Sequence, residues 1–291
     1  MDDDAHAQRV IPVATEPGCN VIRHFLNPPN WFTAASIFCS VYALTLLVGP
    51  GEITPALLSQ AATLVVFGGI FDMMDGRVAR LTNRFSEFGV QLDSIADMVG
   101  FGLAPAVLVY AWSLHELGAI GVAAAVWYAV SAAFRLARFN VNASERTWSF
   151  AGHSQGLTST MAGGSLVTLV WVCNDYLAGV LVPPAWFVAL LTCVIGFLMI
   201  SSVPFRNFKD LRDNRVARRL LAVFFASCLG GAVVLHPSMW FGTGAALYLA
   251  AGLVDGLVVA VYHRRLAAAL LLEDEDDGEL YEEDEQPVSR S

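Results

Sequence analysis

Charge is what this chain has least of. Charged residues make up 15% of its 291 positions and hydrophobic residues 56%, with a mean hydropathy of +0.56, which excludes an ordinary soluble domain of this length. The formal net charge of −9 is concentrated in Glu273-Asp274-Glu275-Asp276-Asp277 and Glu282-Glu283-Asp284-Glu285. Basic residues form no face interleaved with aromatics, so nucleic-acid binding has no support. The five cysteines (Cys19, Cys39, Cys173, Cys193, Cys228) lie mostly in apolar runs, with no CxxC pair and no metal-ligand spacing. They read as small core residues. The six histidines are scattered, which excludes a zinc site built on His and Cys spacing. The opening Met1-Asp2-Asp3-Asp4 carries no basic region ahead of an apolar stretch, and this argues against a cleaved signal peptide.

Long apolar runs fill the rest. About 20 such residues span a hydrocarbon core, and the expected class is an all-α polytopic membrane protein of eight spans, near 31–49, 54–79, 88–113, 117–139, 157–177, 183–203, 216–236 and 239–262. A cytoplasmic N-terminal segment, 1–30, precedes a transmembrane catalytic domain, 31–262. An acidic tail, 263–291, follows and has the composition of a disordered segment. Cys19 to Leu26 reads as a short interfacial helix. Asn30 is the expected cap of the first span, with Trp31 at headgroup level.

Lys and Arg are missing from the expected loops at 50–53, 114–116, 178–182 and 237–238. All 17 basic residues fall on the alternate side, in or next to 1–30, 77–88, 135–153, 204–219 and 263–291. The positive-inside rule places both termini in the cytoplasm. That requires an even number of spans, and eight satisfies it.

Against this background stand four aspartates, Asp72, Asp75, Asp93 and Asp97. A charged side chain at membrane depth costs about 2.5–3.5 kcal/mol on insertion scales, so four together call for bound cations or a water-filled cavity. Asp72 and Asp75 lie toward the cytoplasmic end of the second span, Asp93 and Asp97 in the early turns of the third. Residues three or four apart share a helix face, so the pairs can face each other across a helical hairpin. Carboxylate oxygens suit hard cations such as Mg²⁺ or Mn²⁺. Four carboxylates balance two such ions, and a two-metal clamp suits displacement at phosphorus. Gly76 and Gly89 remove side chains where a phosphate or base can approach, and Arg80, with Arg77 and Arg84 nearby, can reach a diphosphate. Other readings stay open: glycines also permit close helix packing, and arginines also snorkel to headgroups. A cation transporter is a further alternative for paired intramembrane carboxylates, although it does not require Gly76, Ala79 and Arg80 at these offsets.

The string Phe71-Asp72-Met73-Met74-Asp75-Gly76-Arg77-Val78-Ala79-Arg80, continued through Gly89, Asp93 and Asp97, resembles the signature of the CDP-alcohol phosphotransferases with each fixed position filled. That family moves a phosphatidyl or similar group from a CDP-linked donor to an alcohol and releases CMP. The resemblance implies that Asp72, Asp75, Asp93 and Asp97 surround two divalent metals and that Asp97 also takes the proton of the acceptor hydroxyl. It implies too that Gly76, Ala79, Arg80 and Gly89 hold the CDP moiety, and that the chain forms a homodimer.

Further segments resemble the phosphatidylserine synthase branch: 97–106, 134–141 around Arg135, Arg138 and Asn140, 156–164, and 199–205 before Lys209. With the signature they cover most of the chain from about 28 to 212. One departure is Thr158 after Gly156-Leu157, where many relatives have proline. The expected donor is CDP-diacylglycerol, its acyl chains in the bilayer, and the expected acceptor L-serine. Arg135, Arg138 and Asn140 are candidates for a serine pocket, with orientation anchors and helix caps as the plain alternative. Gln91 and Ser94 flank Asp93 without an assigned role. Glycerol 3-phosphate, inositol phosphate and choline are the competing acceptors.

Overall fold

The computed structural model describes residues 27–82, 86–145, 153–175, 182–206 and 244. The expected spans at 216–236 and 239–262, the segment Cys19 to Leu26 and the acidic tail lie outside the described residues. Within them the chain is predominantly helical, and four helical stretches are long and apolar enough to cross a membrane: Pro28–Val48, Pro55–Thr82, Phe88–Trp112 and Ala119–Asn142. These match the first four expected spans to within a few residues.

Helix α1 (Pro28–Val48) begins with two prolines in its first turn. A first-turn residue has no intrahelical partner for its N–H, and proline brings a helical φ without one. Asn30 therefore lies inside the helix, correcting its expected role as the cap. That position belongs to Asn27, in extended conformation and without a side-chain cap bond. The chain leaves α1 at Gly49-Pro50, where the residue before proline is biased away from helix. Helix α2 (Pro55–Thr82) starts with Thr54 Oγ1 accepting from the Leu57 N–H at 3.3 Å. Its 28 residues reach about 42 Å, longer than a hydrocarbon core of about 30 Å. Asp75 to Arg80 lie in its last two turns.

The third span is not one uniform helix. It runs as α3 (Glu87–Asp97), a wider π-helical turn (Met98–Leu103) and α4 (Ala104–Trp112). The chain itself gives the cause: in an α-helix the Phe101 carbonyl would accept from residue 105, and Pro105 has no N–H. Tyr128 Oη, fully buried, donates to the Phe101 carbonyl at 2.8 Å instead. After a 3₁₀ turn (Leu114–Leu117) and Gly118 at φ 55°, α5 (Ala119–Glu145) returns along the bundle.

Strand β1 (His153–Gln155) pairs antiparallel with β2 (Pro204–Arg206), His153 opposite Arg206. This ribbon is the one departure from an all-helical reading among the described residues. It joins the chain entering α6 (Ser159–Asp175) to the chain leaving α7 (Ala185–Ile200). These two helices fall where the fifth and sixth spans were expected, but at 17 and 16 residues they are shorter.

Helix α1 packs along α2, α5 along α7, and α2 against α6. The contacts are made by small groups: Gly68 of α2 sits against Ser40 and the Ser36 carbonyl, and Gly163 of α6 sits against the Phe101 backbone. Large apolar side chains such as Phe38, Phe67, Ile120, Phe134 and Phe197 point outward. The core still holds large side chains such as Tyr128, Leu108, Leu166 and Met199, but small residues at the close helix approaches and large apolar ones facing outward are the arrangement expected where lipid is the solvent.

Candidate active site

The aspartates meet as their spacing requires. Asp72 and Asp75 are one turn apart on α2, and Asp93 and Asp97 one turn apart on α3. One ligand oxygen each from Asp72, Asp75 and Asp93 lies within 4.8 Å of the others. Asp97 lies close enough to Asp72 and Asp93 to act on both electrostatically, and so belongs to the same group. Ser86 starts α3 in extended conformation and accepts from the Gly89 N–H at 3.0 Å, which sets where the helix, and with it Asp93 and Asp97, begins.

Like charges this close repel by about 3–4 kcal/mol per ionised pair at an effective dielectric constant of about 20. A bound cation removes that repulsion. The donors are carboxylate oxygens without a nitrogen or sulfur partner in the group, which fits a hard cation and not a soft one. The residues present therefore fit a divalent metal of the Mg²⁺ or Mn²⁺ type.

Around the cluster the two signature glycines part company. A Cβ on Gly76 would meet nothing within 4 Å, so its face of α2 is open to an approaching ligand. A Cβ on Gly89 would stand 3.1 Å from Ser86 Oγ and 3.3 Å from Asn30 Oδ1, so this glycine lets α3 press against α1. Arg80 is exposed and its Nε donates to the Gly76 carbonyl at 2.9 Å. Ala79 is half-buried on the same helix.

The three residues from the end of α5 occupy different surroundings. Arg135 bears electrostatically on Asp97, donates to Ser159 Oγ at 2.5 Å and lies over the Phe139 ring. Asn140 donates to Ser94 Oγ at 3.0 Å, one residue beyond Asp93. Arg138 turns to the end of α7, where it donates to the carbonyls of Ile200 (2.6 Å), Met199 (2.9 Å) and Ser201 (3.2 Å). A cation at the C-terminal end of a helix satisfies carbonyls that have no intrahelical partner.

Two contacts were not foreseen. Thr33 Oγ1 of α1 donates to Asp75 Oδ2 at 2.7 Å, and Ser159 of α6 receives Arg135. Thr33 carried a signal: Asn30, Thr33, Ser36 and Ser40 recur every three or four residues in an otherwise apolar helix, and all four are buried. Ser159 lay within the segment 156–164 that resembles the phosphatidylserine synthase branch, but its spacing gave no sign of a partner 24 residues earlier.

The chain matches the profile of the CDP-alcohol phosphatidyltransferase family over residues 26–197. It is 32% identical over 243 residues to a CDP-diacylglycerol–serine O-phosphatidyltransferase of Helicobacter pylori (strain ATCC 700392 / 26695), covering 81% of this chain and 95% of the relative. A Bacillus subtilis (strain 168) protein of the same name is 35% identical over 151 residues, 52% of this chain and 77% of the relative. A third, from Methanocaldococcus jannaschii, is 33% identical over 158 residues, 53% and 68% respectively. The match spans more than half of the chain and includes all four aspartates, and the chain belongs to the CDP-alcohol phosphatidyltransferase family.

Proposed function

We propose that this protein is a metal-dependent transferase that moves the phosphatidyl group of CDP-diacylglycerol to the hydroxyl of L-serine, giving phosphatidylserine and CMP. The observation that carries the reading is the cluster of Asp72, Asp75 and Asp93 within 4.8 Å, joined by Asp97. The shared name of the relatives from three organisms supports serine as the acceptor.

In this reading Asp72, Asp75, Asp93 and Asp97 hold two divalent cations, Mg²⁺ or Mn²⁺. When bound, such ions supply positive charge to the phosphate oxygens on which negative charge develops during displacement at phosphorus. Arg80 binds the diphosphate, Gly76 leaves room beside it, Ala79 lines the wall around CDP, and Gly89 serves the CDP site indirectly, by letting α3 close against α1. Asp97 accepts the proton of the serine hydroxyl. The serine oxygen then bonds to the phosphorus that carries diacylglycerol, and the bond from that phosphorus to CMP breaks, its electron pair leaving with CMP. Direct attack inverts the configuration at phosphorus. Arg135 and Asn140 contribute to the serine pocket, and Arg138 does so by holding the end of α7 beside it.

The same reading gives the chain eight spans across residues 31–262, between a cytoplasmic segment 1–30 and a cytoplasmic tail 263–291. The termini and the site face the cytoplasm at the cell (inner) membrane. The distribution of Lys and Arg supports this orientation. The homodimer rests on the family resemblance. Purified protein given CDP-diacylglycerol, Mn²⁺ and one acceptor at a time tests the proposal: CMP is released with serine. Release with glycerol 3-phosphate, inositol phosphate or choline and not with serine overturns the choice of acceptor.

A further inference from the structure

Hydroxyls in apolar helices usually return to their own backbone, four residues back. In this bundle Ser40, Thr63, Ser131, Ser165, Thr168 and Thr192 all do so, at 2.7–2.9 Å. Thr33 is different. Its contact with the Pro29 carbonyl is stretched to 3.3 Å, while its Oγ1 lies 2.7 Å from Asp75 Oδ2 on the neighbouring helix. A hydroxyl has one proton to give, and the shorter, charge-assisted bond takes it. Asp75 is also the least exposed aspartate of the four, with 6% of its surface accessible.

We infer that Thr33 is a positioning residue for the aspartate cluster: it fixes the rotamer of Asp75 from α1 and thereby sets how tightly the cluster holds a divalent cation. Threonine suits the task because its branched Cβ restricts χ1 and gives the hydroxyl a defined direction. The same turns of α1 also meet the other arm of the hairpin, with Asn30 Oδ1 close against Gly89 of α3. Helix α1 therefore sets the position of one metal-bearing helix through Thr33 and abuts the other through Asn30. The inference rests on the reading of the cluster as a metal site. Partners that orient a ligand are worth about 10–100-fold in metal affinity.

The experiment is Mn²⁺ titration of the full chain in detergent micelles, with free Mn²⁺ measured by electron paramagnetic resonance, alongside CMP release as a function of Mn²⁺ concentration. Thr33→Val keeps the shape and removes the hydroxyl, and the apparent Mn²⁺ affinity falls about 10–100-fold, with CMP release recovering at saturating Mn²⁺. Thr33→Ser retains most of the affinity. Ser36→Ala, one turn along the same buried face, leaves it unchanged. Thr33→Ala repeats the loss should valine disturb the α1–α2 contact. Wild-type affinity in both Thr33→Val and Thr33→Ala overturns the inference, and so does an equal loss in Ser36→Ala. No Mn²⁺ binding by the wild-type chain removes the metal site itself, and the inference with it.

Discussion

Alanine at two adjacent glycines of α6 should have opposite effects. A Cβ on Gly163 would stand 2.8 Å from the Phe101 carbonyl oxygen, 3.0 Å from its Cα and 3.1 Å from its Cβ, whereas relaxed carbon contacts lie at about 3.5–4.0 Å. The first two of these atoms are backbone in the π-helical turn and cannot rotate away, so α6 or that turn must yield by about half an ångström. Overpacking of this kind costs about 1–3 kcal/mol, offset by about 1 kcal/mol from the better helix propensity of alanine. Gly164→Ala receives the same gain and meets nothing within 4 Å. The propensity gain cancels in the comparison, leaving Gly163→Ala less stable than Gly164→Ala by about 1–3 kcal/mol. Unfolding of both variants in detergent micelles, followed by tryptophan fluorescence, measures the difference. Phe101 lies in the π-helical turn that begins directly after Asp97, so Gly163→Ala also lowers turnover by about tenfold, given that a 1 Å misplacement costs about 10²-fold. Equal stability of the two variants, or a less stable Gly164→Ala, would refute the reasoning.

Asp97→Asn lowers CMP release by about 10²–10⁴-fold, the contribution of a general base, while Mn²⁺ binding remains measurable; full turnover removes the base assignment. Chelation of divalent ions abolishes CMP release, and Mg²⁺ or Mn²⁺ restores it; activity that survives exhaustive chelation contradicts a metal-dependent transfer. Arg138→Lys loses the planar fork that reaches three carbonyls at the end of α7 and destabilises the fold by about 1–3 kcal/mol. A raised KM for serine at unchanged stability would instead make Arg138 a direct pocket residue.

The parts of this site that lie close in sequence were legible without coordinates. Asp72 and Asp75 are three residues apart, Asp93 and Asp97 four, and a helix turns either spacing into a shared face. Their meeting across the hairpin follows from two adjacent spans. The π-helical turn was written in Pro105 but was not read, because a span is recognised by its length and hydropathy, and neither registers one missing N–H inside it. The misplaced cap at Asn30 has a similar origin: two prolines before an asparagine look like a stop, whereas both fit within a first turn.

Sequence by itself determined that this chain builds apolar helices, that its basic residues collect on alternate loops, and that four acids share one end of a hairpin. Each follows from composition or from the helical period, which act over a few residues. Tertiary structure alone decided that Thr33 reaches Asp75, 42 residues away, that Arg135 stands between Asp97 and Ser159, and that Arg138 is spent on the end of α7. It also separated Gly76, open to a ligand, from Gly89, closed against α1. The helical period says which residues share a face, but not which faces meet. That depends on where small side chains let two helices approach, and the approach is a property of both helices at once.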